Sequence, residues 1–175
     1  MPFGIQALRN AIGGFKPAIQ NEPPQKAGAF VTLSPHFSLA ELTVSQTAAR
    51  KGLSNNPPPA IIANMRVMAA GMEQVRALLG VPIHVNSGYR APAVNAAVGG
   101  STTSAHCKGW ACDFIAPAFG DPLAVCRAIE ASGIVFDQLI FEHTWTHVSF
   151  DPLRRRQLLT LRKSGGYAPG IVPGA

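Results

Sequence analysis

The sequence predicts an α+β fold, in which a small antiparallel sheet packs against N-terminal helices. Two observations lead to this prediction. Apolar residues at helical spacing dominate the first half of the chain, and short apolar, β-branched runs dominate the second half. Runs of helices followed by runs of strands are characteristic of α+β domains. The length of 175 residues suits one domain and leaves little room for a second.

Three helices are predicted in the first half of the chain. Ser38 and Glu41 form a capping box, in which Ser38 caps the helix and the Glu41 side chain reaches back. Ser45 is placed to cap a second short helix that ends near Gly52. A run of three prolines then opens a long helix that Gly80 ends, and its methionine-rich apolar face is typical of core packing.

The second half is predicted to contain four short strands and one helix. The strands are expected at Ile83–Asn86, Trp110–Ile115, Asp137–Phe141 and Trp145–Phe150. Asp121 and Pro122 supply the N-cap and the first residue of the helix, which ends near Gly133. We expect the domain to cover residues 35–162, after an N-terminal extension and linker over residues 1–34 and before a C-terminal tail over residues 163–175.

Composition excludes several classes of protein. Hydrophobic residues make up 47% of the chain and charged residues 14%, which rules out a disordered, highly charged chain. No run of about 18 apolar residues occurs, so no membrane span is predicted. The net charge of +6 arises mostly in residues 152–175, which hold five basic residues and no acid. This stretch is either a solvated end or an attractor for an anionic polymer, and the lack of a reader motif predicts no nucleic-acid partner.

The chain start and the cysteines indicate where the protein is made. No basic segment followed by an apolar run begins the sequence, so we expect no secretory signal and synthesis in the cytoplasm. The cysteines Cys107, Cys112 and Cys126 cannot all pair, and three cysteines do not make a disulfide framework.

Two short segments concentrate the residues that carry chemistry. The first contains His106 and Asp113 on either side of Gly109, and the second contains Glu142 and His147. Zinc accepts two histidines and one carboxylate as ligands, and a catalytic zinc leaves a fourth position open. We therefore predict a zinc site on His106, Asp113 and His147, carried by the sheet. Cys112 points away from Asp113 on a strand, although a site or redox pair that includes cysteine stays an alternative.

Alternation along the last two strands selects a catalytic carboxylate. If the two residues after Glu142 form the hairpin turn, Glu142 is a diagonal neighbour of His147 on the same sheet face. Asp137 would then point to the opposite face. We therefore predict that Glu142, and not Asp137, takes the proton of the attacking water and returns it to the leaving amine.

A family resemblance rests on these same segments. The pattern S-x-H-x-x-G-x-A-x-D followed by W-x-H resembles the zinc D-Ala-D-Ala carboxypeptidases and peptidoglycan endopeptidases of peptidase family M15. The matching residues are Ser104, His106, Gly109, Ala111, Asp113, Trp145 and His147. The segment Ser87–Arg90 is similar to the family's SGYR segment, and His36–Leu42 is similar to the opening helix of the carboxypeptidase branch. The resemblance covers about residues 35–151.

The resemblance implies a zinc-dependent peptidase that acts on peptidoglycan peptides. The implied zinc ligands are His106, Asp113 and His147. Glu142 would be the general base and acid. Arg90 would bind or polarise the peptide near the scissile bond, which suits its permanent positive charge, and an ion pair that holds the loop is the alternative. Ser104 and Gln138 would contact the substrate.

The motifs do not decide which peptide bond is cleaved or where the protein acts. A D-Ala-D-Ala carboxypeptidase and a phage endolysin-like endopeptidase both fit the motifs. The expected lack of a signal peptide fits a lysin that reaches the bacterial cell wall by other means or on a virion, where the chain ends would dock on a protein partner. The competing function is a non-catalytic cell-wall-binding or virion structural component that retains the fold. The intact ligand set argues against a pure binder, which has no use for an open zinc position.

Overall fold

The computed structural model of the protein describes residues 31–174. Residues 1–30 of the extension and linker that are predicted over residues 1–34 lie outside the described residues. The first half of the described chain contains β1 (Thr32–Ser34), β2 (Phe37–Ser38), α1 (Leu39–Thr43), α2 (Gln46–Lys51) and α3 (Pro59–Leu79). The second half contains β3 (His84–Ser87), α4 (Pro92–Ala97), a 3₁₀ helix (Ala105–Lys108), β4 (Ala111–Ile115), α5 (Pro122–Ala131), β5 (Gln138–Phe141), β6 (Thr146–Ser149), β7 (Gln157–Leu161) and β8 (Tyr167–Pro169).

The predicted α+β class is confirmed. β1 and β2 form a small antiparallel sheet, and the other strands form a six-stranded sheet in the order β3-β4-β6-β5-β7-β8. Neighbouring strands of the larger sheet are antiparallel, except that β5 and β7 are parallel. The larger sheet therefore contains the four strands predicted from the sequence and two more at its C-terminal edge.

Capping side chains fix the helix starts as the sequence predicts. The hydroxyl of Ser38 accepts a hydrogen bond from the backbone N–H of Glu41 at 3.1 Å, and Ser45 caps α2 in the same way through Ala48. Gly52 and Gly80 end their helices in the left-handed conformation. The reciprocal bond from the Glu41 side chain is absent among the described residues, so only half of the predicted capping box forms.

One face of the six-stranded sheet packs against α3 and α5. The strand side chains on this face share one core with the methionines of α3, which confirms that the methionine stripe is core packing. The fully buried members are Met65, Met68, Met72, Cys112, Phe114, Cys126, Ile129, Leu139 and Val148. Each buried aliphatic side chain of this size contributes roughly 1.5–3 kcal/mol. The core thus occupies one side of the sheet and leaves the opposite face for a site.

Two strands lie in stretches where the sequence predicts linker and tail. β1 falls within the predicted extension, yet Leu33 is buried in the core. β8 falls within the predicted tail, and it pairs antiparallel with β7. The hydroxyl of Thr160 donates to the carbonyl of Gly170 at 2.8 Å and accepts from the N–H of Val172 at 2.9 Å, which anchors the segment that follows β8. Both strands have three residues, so neither has a strand-length apolar pattern in the sequence.

The basic run after residue 152 is exposed, as a solvated end would be, but two of its arginines also make fixed contacts with the fold. Arg155 donates from Nε to the carboxylate of Asp137 at 2.9 Å, and Asp137 is only 1% exposed. Arg156 donates to the carbonyls of Glu130 and Ile134 at the C-terminal end of α5 and lies 4.7 Å from the centre of the Phe136 ring. Two of the five basic residues therefore hold the fold together.

We expect Arg155→Gln to lower the free energy of unfolding by about 1–3 kcal/mol at pH 7, because the buried Asp137 carboxylate loses its partner. The hydrogen bond from Arg155 lowers the pKa of Asp137. The stabilisation is therefore complete above the ordinary aspartate pKa of about 4 and is lost as the pH falls below it. Urea unfolding at pH 7 and pH 3 measures both effects. Arg154→Gln, at an exposed arginine, is the control, and an equal loss in both variants at pH 7 would contradict the assignment.

Candidate metal centre and active-site cleft

Three chain segments bring the predicted metal ligands together. Asp113 on β4 lies directly opposite His147 on β6 in the antiparallel ladder. His106 lies on the 3₁₀ helix just before β4, and Ser104 caps the N-terminus of this 3₁₀ helix. Gly109 links the two in the left-handed conformation (φ +73°), and a Cβ there would lie 2.9 Å from the side chains of Ile61 and Met65. A glycine is therefore needed for the chain to turn from the 3₁₀ helix into the strand.

The donor atoms of the three ligands converge on one point. His106 Nε2 lies 3.1 Å from Asp113 Oδ1, and His147 Nδ1 lies 2.8 Å from the same oxygen. The two ring nitrogens are 3.2 Å apart. Two ligand atoms bound at about 2.0–2.1 Å to one tetrahedral zinc lie roughly 3.3 Å apart, so the three residues fit a zinc ion. This His–Asp–His cluster is buried and could hold a metal ion.

Hydrogen bonding prepares the cluster to bind a cation. The Nδ1–H of His106 donates to the carbonyl of Gly88 at 2.6 Å, so Nε2 presents its lone pair to the cluster. Burial lowers the pKa of His106, which keeps the ring neutral. Burial alone would raise the pKa of Asp113, but His106 and His147 hold it well below its usual range. Neutral histidine and ionised aspartate are the forms that a metal requires.

Arg90 lies beside the cluster, and one nitrogen of its guanidinium is already bonded to Asp113. Its Nη2 donates to Asp113 Oδ2 at 3.1 Å, so the two carboxylate oxygens divide between Arg90 and the histidines. Its Nε is buried and has no partner among residues 31–174. The ion pair that the sequence leaves as an alternative is thus present, and a second donor remains for another group.

The loop that carries Arg90 is held by a residue that the sequence does not single out. The Asn55 side chain donates to the carbonyl of Tyr89 at 3.0 Å and accepts from the N–H of Ala91 at 2.7 Å, so it fixes both neighbours of Arg90. Gly88 permits close packing, because a Cβ there would lie 2.4 Å from the carbonyl of Leu42. A lone asparagine in a proline-rich connection carries no sequence signal of this contact.

The hairpin that follows β5 places Glu142 at the cleft. Ile140 pairs with His147, and the N–H of Glu142 donates to the carbonyl of Trp145 at 3.2 Å, which is the register predicted from a two-residue turn. His143 turns with φ +59° and its Nε2 lies 2.7 Å from the carbonyl of Leu161, away from the cluster. Burial, with a smaller contribution from the Asp113 charge, raises the pKa of Glu142. A carboxyl group with a raised pKa is suited to move a proton near neutral pH.

Asp137 corrects one step of the alternation argument. It precedes the first residue of β5, borders the same cleft as Glu142, and has a side-chain contact with Ser149, which lies on the cleft face of β6. Arg155 holds that carboxylate by two hydrogen bonds from its side chain and one from its backbone. Asp137 is therefore committed to an ion pair, whereas the carboxylate of Glu142 forms no ion pair among the described residues.

The two predicted substrate-contact residues both line the cleft, and each also has a partner in the fold. The hydroxyl of Ser104 accepts from the N–H of His106 at 3.3 Å. The Gln138 side chain donates to the Oε1 of Gln157 at 2.7 Å. Neither partner blocks the cleft side, since both residues border its open volume.

Two clefts meet at the His–Asp–His cluster. The larger, of about 740 Å³, is lined by the three cluster residues together with Glu142, Ser104 and Gln138. The smaller, of about 520 Å³, lies between α2, β3 and α4. Arg90, Val98 and Asp113 border both. The larger cleft therefore contains the whole cluster, and the smaller one reaches it only at the Arg90–Asp113 edge.

The cysteines take no part in the cluster. Cys112 is fully buried on the core face of β4, and burial raises its pKa well above the usual value. Burial also raises the pKa of Cys107 and brings that of Cys126 to about 12. The metal-ligating group among the described residues contains no thiol, so the cysteine-containing alternative has no support.

A buried His–Asp–His cluster that lines a cleft, beside a carboxyl group of raised pKa, defines a metallopeptidase type of site. The family model described as Peptidase M15 matches residues 35–149, which is more than half of the chain. The chain therefore belongs to peptidase family M15, a metallopeptidase family whose members are typically zinc-dependent, and the resemblance seen in the sequence is confirmed. A search of curated proteins finds no significant match. Within residues 31–174, none of the helices is both long and apolar enough to cross a membrane.

Proposed function

We propose that the protein is a zinc-dependent peptidase that hydrolyses an amide bond in the peptides of bacterial peptidoglycan. The observation that carries the proposal is the convergence of His106, Asp113 and His147 within 3.2 Å of one another in a chain of the M15 family. These three residues would hold the zinc. When bound, zinc acts as a Lewis acid that lowers the pKa of water and polarises a carbonyl group.

Glu142 moves the proton in this proposal. Its carboxylate accepts a proton from the attacking water, and the resulting acid donates that proton to the leaving amine. The raised pKa supports both steps, because a base whose pKa lies closer to the working pH is also a usable acid. Proton transfer of this kind is typically worth about 10²–10⁴-fold in rate.

Arg90 has two tasks in this proposal. Its contact with Asp113 Oδ2 orients the carboxylate so that Oδ1 faces the histidines, which is the support that metal ligands commonly receive. Its guanidinium, 18% exposed at the border of both clefts, provides a charged donor for the carbonyl or carboxylate oxygen of the peptide. Ser104 and Gln138 are proposed to contact the peptide on either side, since both border the groove.

The shape of the groove favours an endopeptidase over a carboxypeptidase. A carboxypeptidase needs a closed end with a cation for the terminal carboxylate, whereas an endopeptidase needs room for peptide on both sides of the scissile bond. The clefts of about 740 Å³ and 520 Å³ meet at Arg90 and Asp113, so space extends to both sides. We infer that the protein cleaves within cell-wall peptides, as a lysin acting on the bacterial cell wall does.

The test is a digest of purified peptidoglycan with the zinc-loaded protein, read by mass spectrometry. We expect new amine and carboxyl ends at one internal amide bond, loss of cleavage after chelation, and recovery with added zinc. Release of free D-alanine alone would favour the carboxypeptidase instead. Binding to cell walls without any cleavage would favour the non-catalytic wall-binding or virion component and overturn the proposal.

A further inference from the structure

The hairpin of β7 and β8 lies beyond the family match, which ends at residue 149, yet it borders the groove. Gln157 and Leu159 of β7 and Tyr167 of β8 all line the larger cleft. The second strand of the hairpin, β8, lies where the sequence predicts a tail. The contribution of the hairpin to the cleft therefore does not follow from the family motifs.

Strand pairing shows why these residues reach the cleft. Asp113, His147, Ile140 and Leu159 lie in one row across β4, β6, β5 and β7, because each is paired with the next. Side chains in one row of a sheet point to the same face. Leu159 thus extends the face that carries the metal ligands, two strands away from His147.

Two neighbouring rows form polar edges along this apolar floor. On one edge, Gln138 pairs with Gln157, and their amides are joined by a hydrogen bond of 2.7 Å. On the other edge, Tyr167 is paired with Leu161, which follows the Phe141–Thr160 pair and so lies level with Glu142. At a strand spacing of about 4.8 Å, Tyr167 lies roughly 10 Å from Glu142 across the sheet, a distance that about three extended peptide residues span.

The apolar side chains at this end are left uncovered. Tyr167 is 48% exposed and Leu153, which also borders the cleft, is 70% exposed. Burial and the negative charges of Glu142 and Asp113 raise the pKa of the Tyr167 phenol, as expected for a ring that faces the cleft. Covering exposed apolar groups with a ligand is favourable, so these side chains would strengthen the binding of a ligand beside the cluster.

We propose that the β7–β8 hairpin is a substrate-binding wall, in which Tyr167, Leu159 and the Gln138–Gln157 amide pair hold the peptide on one side of the scissile bond. The amide pair offers a free donor and a free acceptor to a peptide backbone, and the floor between the rows fits small aliphatic side chains. The wall therefore selects an extended peptide rich in small aliphatic residues, such as alanine. The proposal rests on the proposed peptidase function.

Steady-state kinetics of Tyr167→Ala on a purified cross-linked muropeptide dimer test this wall. We expect KM to rise about 5- to 20-fold while kcat stays within about twofold, because the contact is made equally before and during the reaction. Tyr167→Phe keeps the ring and should restore KM to within about threefold. Phe119→Ala removes an aromatic side chain that is 40% exposed and borders neither cleft, so its kinetics should match the wild type.

The outcomes separate this inference from the proposed function. An unchanged KM for Tyr167→Ala, or a fall in kcat alone, overturns the binding wall and leaves the peptidase function standing. A KM for Tyr167→Phe as high as that of the alanine variant overturns the ring contact. A wild-type protein that cleaves no muropeptide, with or without zinc, overturns the peptidase function and this inference with it.

Discussion

Replacing His106 by alanine is expected to abolish tight metal binding and, with it, measurable peptidase activity. His106 supplies one of three converging donor atoms, and its ring is only 2% exposed, so no side chain or bulk solvent can easily take its place. Loss of a partner that merely supports a ligand weakens metal binding about 10- to 100-fold, and loss of the ligand itself should exceed that range. Elemental analysis after dialysis against zinc measures the metal content per chain.

A thermal scan gives this prediction a second readout. A metal that binds only the folded chain stabilises it, so chelation should lower the Tm of the wild type and leave the Tm of His106→Ala unchanged. His84→Ala is the matched control, because His84 is an exposed histidine outside the cluster, and it should bind zinc like the wild type. Full zinc occupancy in His106→Ala would show that the ligands are misassigned.

The members of the candidate cluster are predictable from their ligand chemistry and from the motif resemblance, and two details of the surrounding geometry follow from local rules. Period-two alternation separates Asp113 from Cys112, and the structure places these side chains on the cleft and core faces. A two-residue hairpin determines the pairing of Ile140 with His147 and so the place of Glu142. Each inference spans fewer than ten residues, over which local rules are reliable.

Contacts between distant segments are what the sequence does not reveal. Asn55 holds the Arg90 loop from 34 residues away along the chain, and Arg155 occupies Asp137 across 18 residues. The same holds for β8, whose residues contain a proline and have no apolar alternation. β8 forms because β7 presents an edge and Thr160 anchors the segment that follows. A count of the charges in residues 152–175 cannot show that Arg155 has a buried partner, because Asp137 lies in a different segment of the chain.

Replacing Glu142 by glutamine is expected to preserve the fold and the metal site and to slow hydrolysis by about 10²–10⁴-fold. The amide has nearly the same shape, and the hairpin is held by backbone bonds such as that from the N–H of Glu142 to the carbonyl of Trp145. The amide cannot accept the proton of the attacking water. Rates on one muropeptide at equal zinc content measure the loss.

The control and the pH profile decide whether Glu142 acts through its proton. Asp151→Asn changes another carboxylate of the same cleft and should keep near wild-type rates, whereas Asp137→Asn is unsuitable because it disturbs the Arg155 ion pair. The base must be ionised, and burial raises the pKa of Glu142, so wild-type kcat/KM should fall with acid at a pH above the ordinary glutamate pKa of about 4.3. That acid limb should disappear from the residual activity of Glu142→Gln. A variant that retains both the rate and the acid limb would assign the proton transfer to another group.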